Sequence, residues 1–176
     1  MCGITAIYSY RNGSSLVDLR ELAKISDQMA ARGPDGEGSW ISADKKIGFA
    51  HKRLAIIDTT EGGSRPMSLT NGNGEVRLVI TYNGEIYNFK ELREELSSDG
   101  IRFTTQSDTE VLLHLYDRFG SAMVARLRGM FAFAIWDNEK HRLFLARDPF
   151  GIKPLYYSDV GGVFRVASQV KALLAG

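Results

Sequence analysis

At 176 residues and 19.5 kDa, with 44% hydrophobic and 24% charged residues, the chain has the composition of one ordered globular domain, not of a disordered or fibrous segment. A formal net charge of +1 with no basic stripe leaves no electrostatic footprint for nucleic acid. One cysteine excludes an internal disulfide, no Cys/His cluster has zinc spacing, and no apolar run approaches the ~20 residues of a membrane span.

The elements follow in order. Ile4 to Tyr10 reads as a strand that anchors Cys2 at one end of a sheet, and the spacing of Leu19, Leu22, Ala23, Ile25 and Met29 predicts a helix over Leu16–Ala30. Arg32-Gly33-Pro34-Asp35-Gly36 breaks regular structure, because proline removes a donor and glycine admits unusual backbone angles. Strands are expected at Ser39–Ser42, Ile47–His51 and Leu54–Ile57, then a surface loop at Glu61–Pro66. An apolar strand, Val76–Tyr82, runs into Asn83-Gly84-Glu85. Helices follow at Phe89–Ser97 and after Ser107, the latter with a capping box from Ser107 to Glu110 and an end at Gly120. Met130–Trp136, Arg142–Arg147, Leu155–Tyr157 and Val163–Ala167 return to strands, and Val166–Leu174 ends in the opening of a helix. Strands, then helices, then strands predict a layered α+β domain with largely antiparallel sheets, without repeats or linkers. The N-terminus lacks a basic segment and signal-peptide core, so cytoplasm is the expected compartment, where a free thiol stays reduced.

Chemistry enters at the second residue. Removal of Met1 would leave Cys2 with a thiol and a free amine on one framework, a nucleophile carrying its own base, since a terminal amine titrates at ~7.7–8.0. Other candidates each have a bland alternative. Asn83-Gly84 suits an oxyanion donor pair or a turn, Arg53 a carboxylate clamp or a surface cation, and Asp108 an ammonium acceptor or a partner of the helix dipole. Glu85 reads equally as an exposed charge, and His51, His114 and His141 as structural residues. Met130, Phe133 and Trp136 read as core or interdomain packing, and no glycine-rich segment has the lysine and order of a phosphate loop.

Taken in order, Arg32-Gly33-Pro34-Asp35-Gly36, His51-Lys52-Arg53-Leu54-Ala55-Ile56, Tyr82-Asn83-Gly84-Glu85-Ile86-Tyr87-Asn88 and Ser107-Asp108-Thr109-Glu110 resemble the glutaminase domain of class II, N-terminal-nucleophile glutamine amidotransferases. Gly129–Asp137 and Arg147–Tyr157 resemble the asparagine synthetase branch of that class. The likeness runs from Cys2 to the Ser168–Leu173 region. It implies a four-layer α/β/β/α fold with two stacked sheets, and cleavage of the glutamine side-chain amide through a Cys2 thioester. By the same resemblance, Asn83 and Gly84 form the oxyanion hole and Arg53 holds the substrate carboxylate. Asp108 and Glu85 hold its ammonium, Leu54 and Ile56 line the pocket, and the Arg32–Gly36 loop helps close it.

No cofactor or metal is implied for this half-reaction; ATP and magnesium would belong to a synthetase domain for which there is no room after Gly176. The expected partners are L-glutamine and either a synthetase domain or a separate ammonia-acceptor subunit, with no nucleic acid or membrane. Gln169 stands where the family commonly has glutamate, which touches ammonia delivery more than glutamine cleavage. Two alternatives stay open: hydrolysis of another small amide, and an unprocessed regulatory or docking module. The segment Arg147-Asp148-Pro149-Phe150-Gly151 is expected to be a scaffold turn with an internal Arg147–Asp148 contact.

Overall fold

The computed structural model describes residues 1–54 and 66–176. The expected strand at Leu54–Ile57 apart from Leu54 itself, the expected loop up to Pro66 apart from Pro66, and the candidate residue Ile56 lie outside the described residues.

Two antiparallel sheets form the centre. The first contains β1 (Gly3–Ser9), β2 (Gly36–Ile41), β3 (Ile47–Arg53), β8 (Tyr156–Val160) and β9 (Val163–Ala167), in the order β2-β3-β1-β9-β8. The second contains β4 (Met67–Thr70), β5 (Val76–Ile86), β6 (Gly129–Asp137) and β7 (Arg142–Arg147), in that order. Helices α1 (Leu19–Asp27) and α4 (Val170–Leu173) cover the outer face of the first sheet, and α2 (Phe89–Ser98) and α3 (Asp108–Phe119) cover that of the second. This is the α/β/β/α layering that the resemblance implies.

Each layer boundary has its own apolar core because side chains alternate across a strand. On β5, Leu78, Ile80, Tyr82 and Ile86 pack toward α2 and α3, while Val79 packs inward against Ala6, Phe49 and Val166 of the first sheet. On β1 and β3, Ile7 and Ala50 pack under α1, while Ala6, Ile47 and Phe49 face the second sheet. Thr81 ties the sheets polar-to-polar, its hydroxyl donating to the Ala50 carbonyl at 3.3 Å and lying 3.2 Å from His51 Nδ1. His51 is thus an inter-sheet structural residue.

Several local expectations are corrected. Asp18 accepts the Arg20 N–H and starts α1 three residues late by the sequence spacing, at Leu19; past Asp27 the chain tightens into a 3-10 turn at Ala30–Arg32. Ser107 caps α3 through the Thr109 N–H, but Glu110 does not return the bond; its carboxylate instead gathers the N–H and hydroxyl groups of both Thr104 and Thr105. β4 has no counterpart among the expected strands, since its four residues are too short for a periodic signal. Arg147 and Asp148 do not meet as a pair. Arg147 donates to the Lys153 and Gly151 carbonyls at 2.8 and 2.6 Å, and Asp148 accepts from Phe131, Ile152 and Lys153 N–H groups. Together they pin the segment after β7 to the start of β6.

Candidate active site

Cys2 is buried at the start of β1, next to the Gly3–Lys52 pair of the β1–β3 ladder. Its sulfur accepts the Leu54 N–H at 3.3 Å and donates to the Leu54 carbonyl at 3.6 Å. The strand start is held on both flanks. Ser168 exchanges bonds with the Ile4 backbone, its hydroxyl accepting at 3.1 Å and its N–H donating at 3.1 Å. Arg32 Nε donates to the Cys2 carbonyl at 3.0 Å. Burial lowers the Arg32 pKa, while its proximity to Cys2 acts in the opposite sense. Met1, by contrast, is half exposed.

The Arg32–Gly36 segment is a fixed wall rather than a loose turn. Pro34 bridges to Arg53, and the Asp35 N–H donates to the Arg53 carbonyl at 3.0 Å. Gly33 lies so close to the Lys52 carbonyl and Arg53 nitrogen that any Cβ would overlap them.

Strand alternation gathers three candidates. Ile47 and Phe49 face the second sheet, so His51 and Arg53 continue on that inner face. Val79 and Thr81 face the first sheet, so Asn83 does too. Ala6 puts Ile4, and then Cys2, on the inner face of β1. Cys2, Arg53 and Asn83 therefore converge between the sheets at one end of the stack. Asn83 is 1% exposed, and its Nδ2 is buried with no hydrogen-bond partner among the described residues. A buried donor left unpaired costs about 1–3 kcal/mol, so it calls for an explanation.

Asn83 and Gly84 lie inside β5, paired with Ala132 and Phe131, and are not the turn that the dipeptide alone suggests. Gly84 is required by crowding: a Cβ would strike the Met130 carbonyl, Phe131 Cα and Tyr82 ring. Asp108, 2% exposed, is the first residue of α3, and its Oδ2 accepts from the Tyr82 hydroxyl at 2.8 Å and the Ile86 N–H at 3.2 Å. Its carboxylate thus bears on the end of β5 that carries Asn83 and Gly84. Glu85 follows at the same strand end, half-buried. The support from Arg32, Tyr82 and Ser168 was not legible as such; only the place of Arg32 before Gly33-Pro34 and of Tyr82 before Asn83 hinted at it.

Among the described residues no group of three or more His, Cys, Asp or Glu is placed to hold a metal ion, and no helix is long and apolar enough to cross a membrane. Against known proteins, residues 1–176 match the glutamine amidotransferase domain family. The chain belongs to this family. It is 45% identical over 175 residues to asparagine synthetase [glutamine-hydrolyzing] 1 of Bacillus subtilis, covering 99% of this chain and 27% of that protein. It is 36% identical over 183 residues to amidase chry2 of Gibberella zeae, covering 99% and 26%. This amidotransferase domain thus spans about a quarter of the length of these curated relatives. In structure it superposes on the glutamine phosphoribosylpyrophosphate amidotransferase of B. subtilis with a TM-score of 0.82 at 24% identity, covering 99% of this chain and 43% of that one. That likeness shows the shared fold of two stacked antiparallel sheets between helices.

Proposed function

We propose that this amidotransferase domain hydrolyses the side-chain amide of L-glutamine to glutamate and ammonia, with Cys2 as nucleophile once Met1 has been removed. The observation that carries the reading is the buried Asn83 Nδ2, which has no hydrogen-bond partner among the described residues and lies on the same inner end as the Cys2 sulfur. An amide carbonyl attacked by sulfur becomes an oxyanion, and a fixed, uncharged donor stabilises it without a charge to desolvate.

In this cycle the Cys2 amine takes the thiol proton as sulfur bonds to the amide carbon. The tetrahedral oxyanion rests on Asn83 and the Gly84 backbone. It collapses with cleavage of the C–N bond, the amine returning its proton to the departing ammonia, and leaves a glutamyl thioester. Water, deprotonated by the same amine, attacks the thioester and releases glutamate and the free thiol. Splitting one hard amide cleavage into two acyl transfers lowers both barriers. Thiol, amine and hydrogen-bond donors suffice for these steps, and ATP and magnesium would serve only an acceptor reaction.

Arg53 offers the fork that a carboxylate accepts, and Asp108 and Glu85 offer acceptors for the ammonium; together they favour a free α-amino acid over a simple amide. Leu54 lies against the nucleophile; Ile56, outside the described residues, is assigned to the pocket by the family resemblance alone. The ammonia acceptor is a synthetase domain or a separate acceptor subunit, a reading that the asparagine synthetase name of the B. subtilis relative supports. The exposed apolar residues Phe150, Ile152 and Tyr156 leave β7 and enter β8 at the Cys2 end of the sheets, a surface suited to seat it.

The test is intact mass to separate chains with and without Met1, followed by ammonia and glutamate assays on each. Turnover confined to the processed chain supports the reading. Turnover of another amide but not glutamine favours a different hydrolase, and an inactive processed chain favours a docking module.

A further inference from the structure

We infer that Tyr82 is a positioning residue that sets substrate selectivity, by aiming the Asp108 carboxylate at the α-ammonium group of the substrate; the inference rests on the proposed glutaminase reading. The Tyr82 hydroxyl donates to Asp108 Oδ2 at 2.8 Å, and the Ile86 N–H donates to the same oxygen at 3.2 Å. Both side chains are buried, 2% exposed each, so water does not compete for that oxygen. Two donors on one oxygen fix the rotation of the carboxylate and therefore where its other oxygen lies.

Tyr82 could serve the core alone, since its ring packs toward α2 and α3. Two features argue for more. The ring is also wedged against Gly84, where its Cε2 lies 2.7 Å from the position of a would-be Cβ. One side chain thus joins the strand segment of the oxyanion donors to the acidic residue that opens α3. Phenylalanine would fill the same volume, so the hydroxyl is the part that acts on Asp108. A buried hydrogen bond to a charged group that orients a ligand-binding carboxylate should matter only for substrates that use that carboxylate.

The experiment compares L-glutamine with glutaramate, the same amide acid without its α-amino group, in the processed wild-type chain and in Tyr82→Phe. The expected result is a rise of about tenfold in KM for glutamine with kcat little changed, and an unchanged kcat/KM for glutaramate, so the preference for glutamine falls about tenfold. In an Asp108→Asn background, Tyr82→Phe should lower that preference no further. An unchanged preference in a folded Tyr82→Phe chain overturns the inference, as does equal loss on both substrates. Collapse of the fold in Tyr82→Phe, read by near-ultraviolet circular dichroism, also overturns it, because the hydroxyl would then belong to the core. A wild-type chain that leaves glutamine intact defeats the glutaminase reading instead.

Discussion

The Leu54 N–H points at the Cys2 sulfur from 3.3 Å, and the same residue's carbonyl accepts the thiol proton at 3.6 Å. Two backbone groups of one residue thus fix the sulfur, and the N–H is placed to stabilise negative charge that develops on it. The amine needed to take that proton exists only without Met1, whose half-exposed position leaves it accessible. Glutaminase activity should therefore track the processed fraction in mixed samples, and Cys2→Ala should lower kcat by at least about a thousandfold. Equal turnover in processed and unprocessed chains, measured as ammonia release, would contradict the base assignment.

Asn83→Ala separates chemistry from stability. Removing an oxyanion donor should reduce kcat about 10²–10³-fold with little effect on KM. Nδ2 has no hydrogen-bond partner among the described residues, so the substitution breaks no Nδ2 bond to them. The unfolding free energy should not fall, and should rise by up to about 1–3 kcal/mol as the unpaired donor is removed, as measured in denaturant. A large stability loss with kcat intact would make Asn83 a structural residue.

Arg53 extends the inner face of β3 to the end where Cys2 lies. Arg53→Ala should raise KM for glutamine about a hundredfold, the scale of a lost charge-assisted, two-bond contact, and leave kcat within a few-fold. Arg53→Lys should recover only part of the affinity, because an ammonium cannot present the planar fork. Initial rates across glutamine concentrations decide it, and an unchanged KM removes Arg53 from the substrate site.

The order of strands and helices was legible because β1, β3, β5 and β6 carry long apolar runs and α3 an explicit cap. The motifs carried the candidate residues, but not how they meet. Cys2 and Leu54, or Tyr82 and Asp108, are 52 and 26 residues apart, and only the stacking and pairing of the sheets brings them together. Asn83-Gly84 misleads for the same reason: a local turn signal is overridden by nine paired positions between β5 and β6. Arg147 and Asp148 look like an ion pair in sequence, yet backbone groups of the following loop satisfy both. Short β4 and the threonine pair beneath Glu110 carry no periodic signature at all.

Glu110 supplies a stability prediction with a defined pH sign. Burial would raise its pKa, but the N–H and hydroxyl donors of Thr104 and Thr105 outweigh that cost and hold it below the ordinary glutamate value. A folded-state pKa below the unfolded one adds stability that is complete above the unfolded value and disappears as pH falls through the folded one. Glu110→Gln should therefore cost about 2–3 kcal/mol at pH 7, since charge-assisted bonds weaken and one amide group cannot accept from all four donors. The gap between wild type and variant should begin to close as pH falls below the ordinary glutamate value of about 4.3 and go on closing as it falls through the depressed folded-state value. Urea titrations of both proteins across pH 3–7 measure this, and a constant gap would show that the Glu110 contribution is packing rather than charge.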